Sequence, residues 1–300
     1  MPELIDKLKF LFLLPPIMRG FFAMLVSGAC FPMCGVMLLR LNLVPMRYML
    51  MHGVVLGGAM ALALNMPLVP VMVAVNLILI FAMMVFTKDS SFGFSGGSSA
   101  AMILSMALAS LIMHVADVPA KDTLSLMWGS PFALTLFDLI TLCVLAFFLG
   151  AYVILNFKNI LALFYNQEIA RSMGVKVKFH YTVMVIVIAL TVALAMKILG
   201  AFLIDALLIL PVLCANAASG KKSCGIKKIF ILSSVFGFSF SVLGYTVAVA
   251  ANLPPASAIS VFAGITFLIL ILWGHIKNGI KHVNPVRRKY ARRLKSMTSP

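Results

Sequence analysis

LALFYNQEIARSMGVKV, Leu161–Val177, is a short, polar, helix-prone break between two long apolar runs. Around it stand Lys158, Glu168, Arg171, Lys176 and Lys178, in a chain with almost no other charge in its middle. Runs of about 20 apolar residues cross the hydrocarbon core of a bilayer as helices. Only helices and closed barrels satisfy the backbone in lipid, and these runs lack the period-2 alternation of barrel strands. The reading is therefore an all-α polytopic membrane protein. One structured polar insert on its basic side offers a handle to something in the cytoplasm.

Composition carries this outward to the whole chain. Of 300 residues, 63% are hydrophobic and 11% charged, with a mean hydropathy of +1.11. A soluble domain would carry about 25% charged residues. Nine apolar spans are expected, at about 20–39, 48–65, 68–86, 98–116, 132–155, 181–196, 198–218, 229–251 and 256–275. Merging a short one leaves eight. Residues 1–275 form the transmembrane domain, and 276–300 a basic tail.

The net charge of +16 raises nucleic acid as a partner, but the positions of the charges exclude it. Eight cations lie between Lys277 and Lys295, and four more are Lys221, Lys222, Lys227 and Lys228. With Arg40, Arg47, Lys88 and the insert, most of the 24 Lys and Arg residues fall on one set of alternate connections. Lys7, Lys9, Arg19, Lys121 and Lys197 fall on the other. Such a bias places the C-terminus in the cytoplasm, where the tail can also meet anionic lipid.

The five cysteines (Cys30, Cys34, Cys143, Cys214 and Cys224) form no CxxC pair and imply no disulfide framework. The N-terminal MPELIDKLKFLFLLPP reads as an interfacial segment rather than a cleaved signal. The Thr87–Ser99 stretch, TKDSSFGFSGGSS, reads as a flexible turn and lacks the phosphate-binding GxxxxGK[ST] pattern. No nucleotide site and no catalytic motif stand out, so the chain reads as a non-enzyme with no cofactor of its own; ATP, if used, binds another polypeptide.

Several stretches together resemble the membrane subunit of ATP-binding-cassette importers for zinc, manganese and iron. In ILGAFLIDALLILPVLCANAAS (198–219), Gly200, Ala206, Leu207, Leu208 and Pro211 fit the family pattern. In ANLPPASAISVFAGITFLI (251–269), Leu253 and Pro254 are in register. FYNQEIARSMGV (164–175) is similar to the family's cytoplasmic coupling segment, with Glu168, Ala170, Gly174 and Val175 matching. MRGFF (18–22) and VMLLRLNLVPMRYMLMHGVVLGGA (36–59) resemble its first span and histidine-bearing second span. Lys88, Asp89 and Trp128–Ser130 also sit where the family has similar residues.

The resemblance implies a multi-pass permease of the plasma (bacterial inner) membrane that works as a dimer, most often a homodimer. It implies a separate ATPase that binds ATP, and an extracytoplasmic metal-binding protein that delivers a divalent metal ion. The coupling segment, about 156–180, would dock on the ATPase through Phe164, Glu168, Ala170, Arg171, Gly174 and Val175, with Gly174 ending its helix. Zinc is the first expected cargo, then manganese or iron.

The family's second span carries an Asp and, four residues later, a His, a spacing that puts both on one helical face. Here His52 holds the His position, but Tyr48 replaces the Asp and is a poor ligand for a hard cation. Three readings stand. Asp205, inside the seventh span, substitutes as the pathway acid, since a buried ionisable group marks a functional site; its alternative is a pairing with Lys197. Or a softer ion is held by Cys30, Met33, Cys34 and Met37 on one stripe of the first span. Or the scaffold carries a non-metal cargo. His114 reads as an interfacial residue, Asp138 as a helix-start charge, and His180, His275 and His282 as residues meeting lipid or partner. A secondary transporter and a subunit with a decayed site remain the rivals from other classes.

Overall fold

The computed structural model describes residues 12–87, 93–119, 121, 129, 131–219 and 225–274. Residues 1–11 of the N-terminal segment, Lys88, Asp89, Trp128, Ser130, Lys221, Lys222, Cys224, His275, His282 and the 276–300 tail lie outside the described residues. Among those described, nine helices are long and apolar enough to cross a membrane. They are α1 (Pro15–Arg40), α2 (Val44–Ala63), α3 (Leu68–Phe86), α4 (Gly93–Val115), α5 (Leu136–Leu155), α8 (Val177–Leu199), α9 (Ala201–Ser219), α10 (Ile226–Ala251) and α11 (Pro255–Gly274). The insert folds as two short helices, α6 (Phe157–Tyr165) and α7 (Gln167–Ser172).

The apolar runs mark the spans, and a repeated signal ends them. After α1, α2, α4 and α10 the chain turns at Asn42, Asn65, Asp117 and Asn252, all left-handed with φ between 49° and 55°. Asn and Asp tolerate that conformation because their short polar side chains bond locally. The next residue then donates its N–H back to the last turn: Leu43 to Leu38, Met66 to Ala61, Val118 to Met113 and Leu253 to Ala248, at 2.8–3.0 Å. Pro45, Pro67, Pro119 and Pro254 follow within three residues of the turn, where they cannot continue the helix.

Two expectations about boundaries change. Thr87–Ser99 is not a turn throughout: α4 begins at Gly93, and Ser98 and Ser99 return their hydroxyls to the carbonyls of Phe94 and Ser95. Serines that bond within the helix cost little in an apolar setting, so a Gly/Ser-rich stretch is drawn into the span. Arg47 is not in a loop but in the first turn of α2 and 3% exposed, because Pro45 is well placed in a first helical turn and starts the helix early.

Helices in lipid gain little hydrophobic energy from meeting one another, so close backbone approach decides packing. The face that α4 buries is Ser98, Ala101, Ser105 and Ala109, all small and near one-turn spacing, and it lies against α2. On α1, a side chain at Gly28 would collide with Ser241 and the Gly237 carbonyl of α10, and one at Gly35 with the Leu208 carbonyl of α9. Tyr245, fully buried, donates to the Ile17 carbonyl (2.9 Å) and fastens the end of α10 to the start of α1. The result is an interior of α1, α2, α8 and α9 inside a rim of α3, α4, α5 and α11. The apolar window of α2 is 67% buried, that of α11 only 11%. Rim residues such as Phe81, Phe147, Phe148 and Leu272 face outward, as lipid-facing side chains do.

Candidate pathway site and coupling segment

The first turn of α2 carries Arg47 and Tyr48, and His52 follows Tyr48 at i+4, about 6 Å further along the same face. Asp205 is the fifth residue of α9. Its carboxylate is ion-paired with the Arg47 guanidinium through Nη1 and Oδ1. The Arg47 Cζ atom lies 4.2 Å from the centroid of the Tyr48 ring, a cation–π contact. Arg47 is nearly inaccessible, whereas the Asp205 side chain remains 33% exposed and Tyr48 42% exposed. The site therefore has a closed cationic back and an open anionic front.

Two polar atoms there are buried without a hydrogen-bond partner among the described residues, Nε of Arg47 and Nδ1 of His52. Orphaned buried polar groups are costly and uncommon in native structures. Sequence reasoning singled out Tyr48, His52 and Asp205 but not Arg47. A cation so close to the expected metal positions was the signal that could have found it. Among the described residues, no three His, Cys, Asp or Glu side chains converge on one point.

The pairing of Asp205 with Lys197 does not occur. Lys197 Nζ lies 3.0 Å from Asp138 Oδ1, leaving Asp205 to Arg47. Asp138 is the helix-start charge expected of it, and more. Its backbone N–H donates to Thr135 Oγ1 (3.1 Å), and its Oδ2 accepts from the Thr135 backbone N–H (3.2 Å), a complete capping box at the start of α5.

Burial varies along the cysteine and methionine stripe of α1. Cys34 is fully buried with its thiol 3.6 Å from Thr191 Oγ1 on α8, Cys30 is half-buried, and both are free. Met33 is half-buried and Met37 fully buried. His114 is exposed at the end of α4. His180 meets neither lipid nor solvent. It is 8% exposed, with Nε2 3.1 Å from Asn159 Nδ2, and its carbonyl accepts from the Tyr152 hydroxyl at 3.3 Å, so it joins α8 to α6 and α5.

In the insert, Asn166 caps α7, its Oδ1 accepting from the N–H groups of Glu168 (2.7 Å) and Ile169 (3.3 Å). Gly174 ends α7 at φ +81°, where Val175 N–H donates to Ala170 and Gly174 N–H to Arg171, the paired bonds of a Schellman motif. Glu168, Arg171 and Gly174 are exposed, whereas Ala170 is buried, Val175 half-buried, and Phe164 stacks on Phe230 of α10 with centroids 6.4 Å apart. The insert also exposes Tyr165, Ile169 and Met173, which sequence reasoning did not single out.

A model of the ABC 3 transport family matches residues 14–274. The manganese import system permease protein ScaB of Streptococcus gordonii is 34% identical over 113 residues, 38% of this chain and 39% of that protein. The manganese transport system membrane protein MntC of Listeria monocytogenes is 28% identical over 155 residues, 51% of this chain and 54% of that one. The high-affinity zinc uptake system membrane protein ZnuB of Buchnera aphidicola from Acyrthosiphon pisum is 26% identical over 174 residues, 58% of this chain and 63% of that one. The matched stretches thus span roughly two-fifths to three-fifths of these relatives. Among solved structures, a chain of PsaBC from Streptococcus pneumoniae in complex with Fab superposes with a TM-score of 0.74 at 22% identity, covering 90% of this chain and 94% of that one. An inward-facing putative metal-chelate type ABC transporter superposes at 0.69 and 15% identity, covering 91% and 99%. At these identities the structures speak for the fold, and the family model, over most of the length, for kinship: the chain belongs to the ABC 3 transport family.

Proposed function

We propose that this chain is the membrane permease subunit of an ATP-driven importer for a divalent metal ion, with zinc or manganese as cargo. The observation that carries the reading is the family match over residues 14–274, joined to relatives named for manganese and zinc transport. His52 and Asp205 are its cation contacts, and Tyr48 lines the same face. The described residues of one chain supply too few ligands for a closed site, which suits a pathway on the axis of two copies, each giving one such face. A transported ion must be held weakly enough to leave, so an incomplete ligand set fits transit better than storage.

A separate ATPase docks on the insert, through Glu168 and Arg171 with the exposed Tyr165, Ile169 and Met173, and an extracytoplasmic protein delivers the ion. ATPase closure moves α6 and α7, and the Phe164–Phe230 contact passes that motion to α10, opening the pathway by turns to either side. The C-terminus lies in the cytoplasm, in the plasma membrane of the cell.

Elemental mass spectrometry of cells with and without the chain, under metal limitation, tests the reading. A selective fall in zinc, manganese or iron without the chain supports it and names the ion. No change in any metal rejects it in favour of a non-metal cargo on the same scaffold. For docking, Gly174→Val forces a β-branched residue into a left-handed position, at a local cost of about 1–2 kcal/mol. The expected result is loss of the co-purifying ATPase; unchanged co-purification refutes docking through α7.

A further inference from the structure

We propose that Arg47 is a tethered counter-cation that occupies Asp205 in the empty pathway, so that an incoming divalent ion binds by displacing it. The inference rests on the reading of Asp205 as a cation contact and adds what stands in the ion's way.

Four features of the site carry it. First, the pair is lopsided: Arg47 is buried, while the carboxylate it holds is one-third exposed and open to a solute. Second, the Nε of the buried guanidinium bonds to nothing among the described residues. An arginine placed for structure alone is expected to have its buried donors paired, and this one keeps a donor unused. Third, Arg47 already lies over the Tyr48 ring at 4.2 Å, so on leaving Asp205 it has a second resting place without returning to water. Fourth, His52, with a buried and unpartnered Nδ1, stands one turn along the face of Tyr48. It offers an imidazole on the same helix as Arg47.

Electrostatics then sets the selectivity. A monovalent ion trades one charge for another at Asp205 and gains little. A divalent ion brings twice the attraction and can add the imidazole. Arg47 therefore raises the threshold that an ion must pass.

The test is equilibrium binding of Mn²⁺ and of Zn²⁺ to the purified full-length chain, with whatever subunits co-purify. It is run on wild type, Arg47→Met, Arg47→Gln, Arg47→Lys, Asp205→Asn and the double variant Arg47→Met/Asp205→Asn. The expectation is that Arg47→Met binds the divalent ion at least ~10-fold tighter and admits monovalent competitors, a change of one decade in Kd. Arg47→Lys stays near wild type, and the double variant matches Asp205→Asn, because Arg47 acts only through that carboxylate. Should Arg47→Met fail to fold, Arg47→Gln, neutral but still polar, gives the same reading. Binding no tighter in either neutral variant overturns the inference, as does a gain that survives in the double variant. Metal uptake by cells separates the two levels. Uptake by wild type with no tightening in the neutral variants rejects the displaced counter-cation alone. No uptake and no binding in any form rejects the metal pathway, and the counter-cation with it.

Discussion

Two ion pairs lie among the described helices, and they are built differently. At the start of α5, Asp138 is held from every side, by the Thr135 hydroxyl and N–H and by Lys197. Between α2 and α9, Asp205 has Arg47 for its ion-pair partner, and Arg47 is left with an orphaned nitrogen. The first pair completes a helix cap and spends its bonding capacity on the fold. The second keeps capacity in reserve beside an unpartnered histidine. Burial alone does not identify a working site in a membrane protein. Burial with bonding left over, opening onto an accessible carboxylate, is a far better guide, because a structural role gives no reason to leave it unused.

The largest expected effect comes from breaking the reserved pair. Asp205→Ala leaves the Arg47 guanidinium buried and uncompensated, which should destabilise the chain by about 3–5 kcal/mol and abolish metal uptake. Thermal unfolding in detergent and uptake measured together check this; retained uptake would put the acid off the pathway. Next comes the cap. Thr135→Val removes the hydroxyl that accepts from Asp138 N–H, for a loss of about 1 kcal/mol, with the KM for uptake unchanged. The smallest effect is Lys197→Met. With the Lys197 side chain 30% exposed, the pair contributes about 0–1 kcal/mol, and uptake should stay at wild-type level. A severe transport defect in Lys197→Met would erase the distinction between the two pairs.

Much of the architecture was legible. The nine apolar runs correspond to nine helices long and apolar enough to cross a membrane among the described residues, since a helix satisfies its own backbone in lipid. Gly174 was readable as a helix end because few other residues accept its φ. Boundaries were less legible. α8 runs Val177–Leu199, longer than its apolar stretch, because Lys178 is exposed and Lys197 finds a carboxylate, so charge at a helix end need not stop it. At the site, Tyr48, His52 and Asp205 stood out by type, but their joining through Arg47 did not. That contact links helices separated by almost half of the chain, and no local period carries such information. The choice of Arg47 over Lys197 as partner of Asp205 depends on which helix ends meet, and only packing fixes that.

The caps on α7 carry one more consequence. Six residues are far too few to hold a helix in water unaided, yet Asn166 at one end and Gly174 at the other satisfy loose backbone groups from within the chain. Whatever settles on this helix meets a finished shape and pays no entropy to create it. On the docking reading proposed above, that is the kind of surface a contact made and broken repeatedly requires.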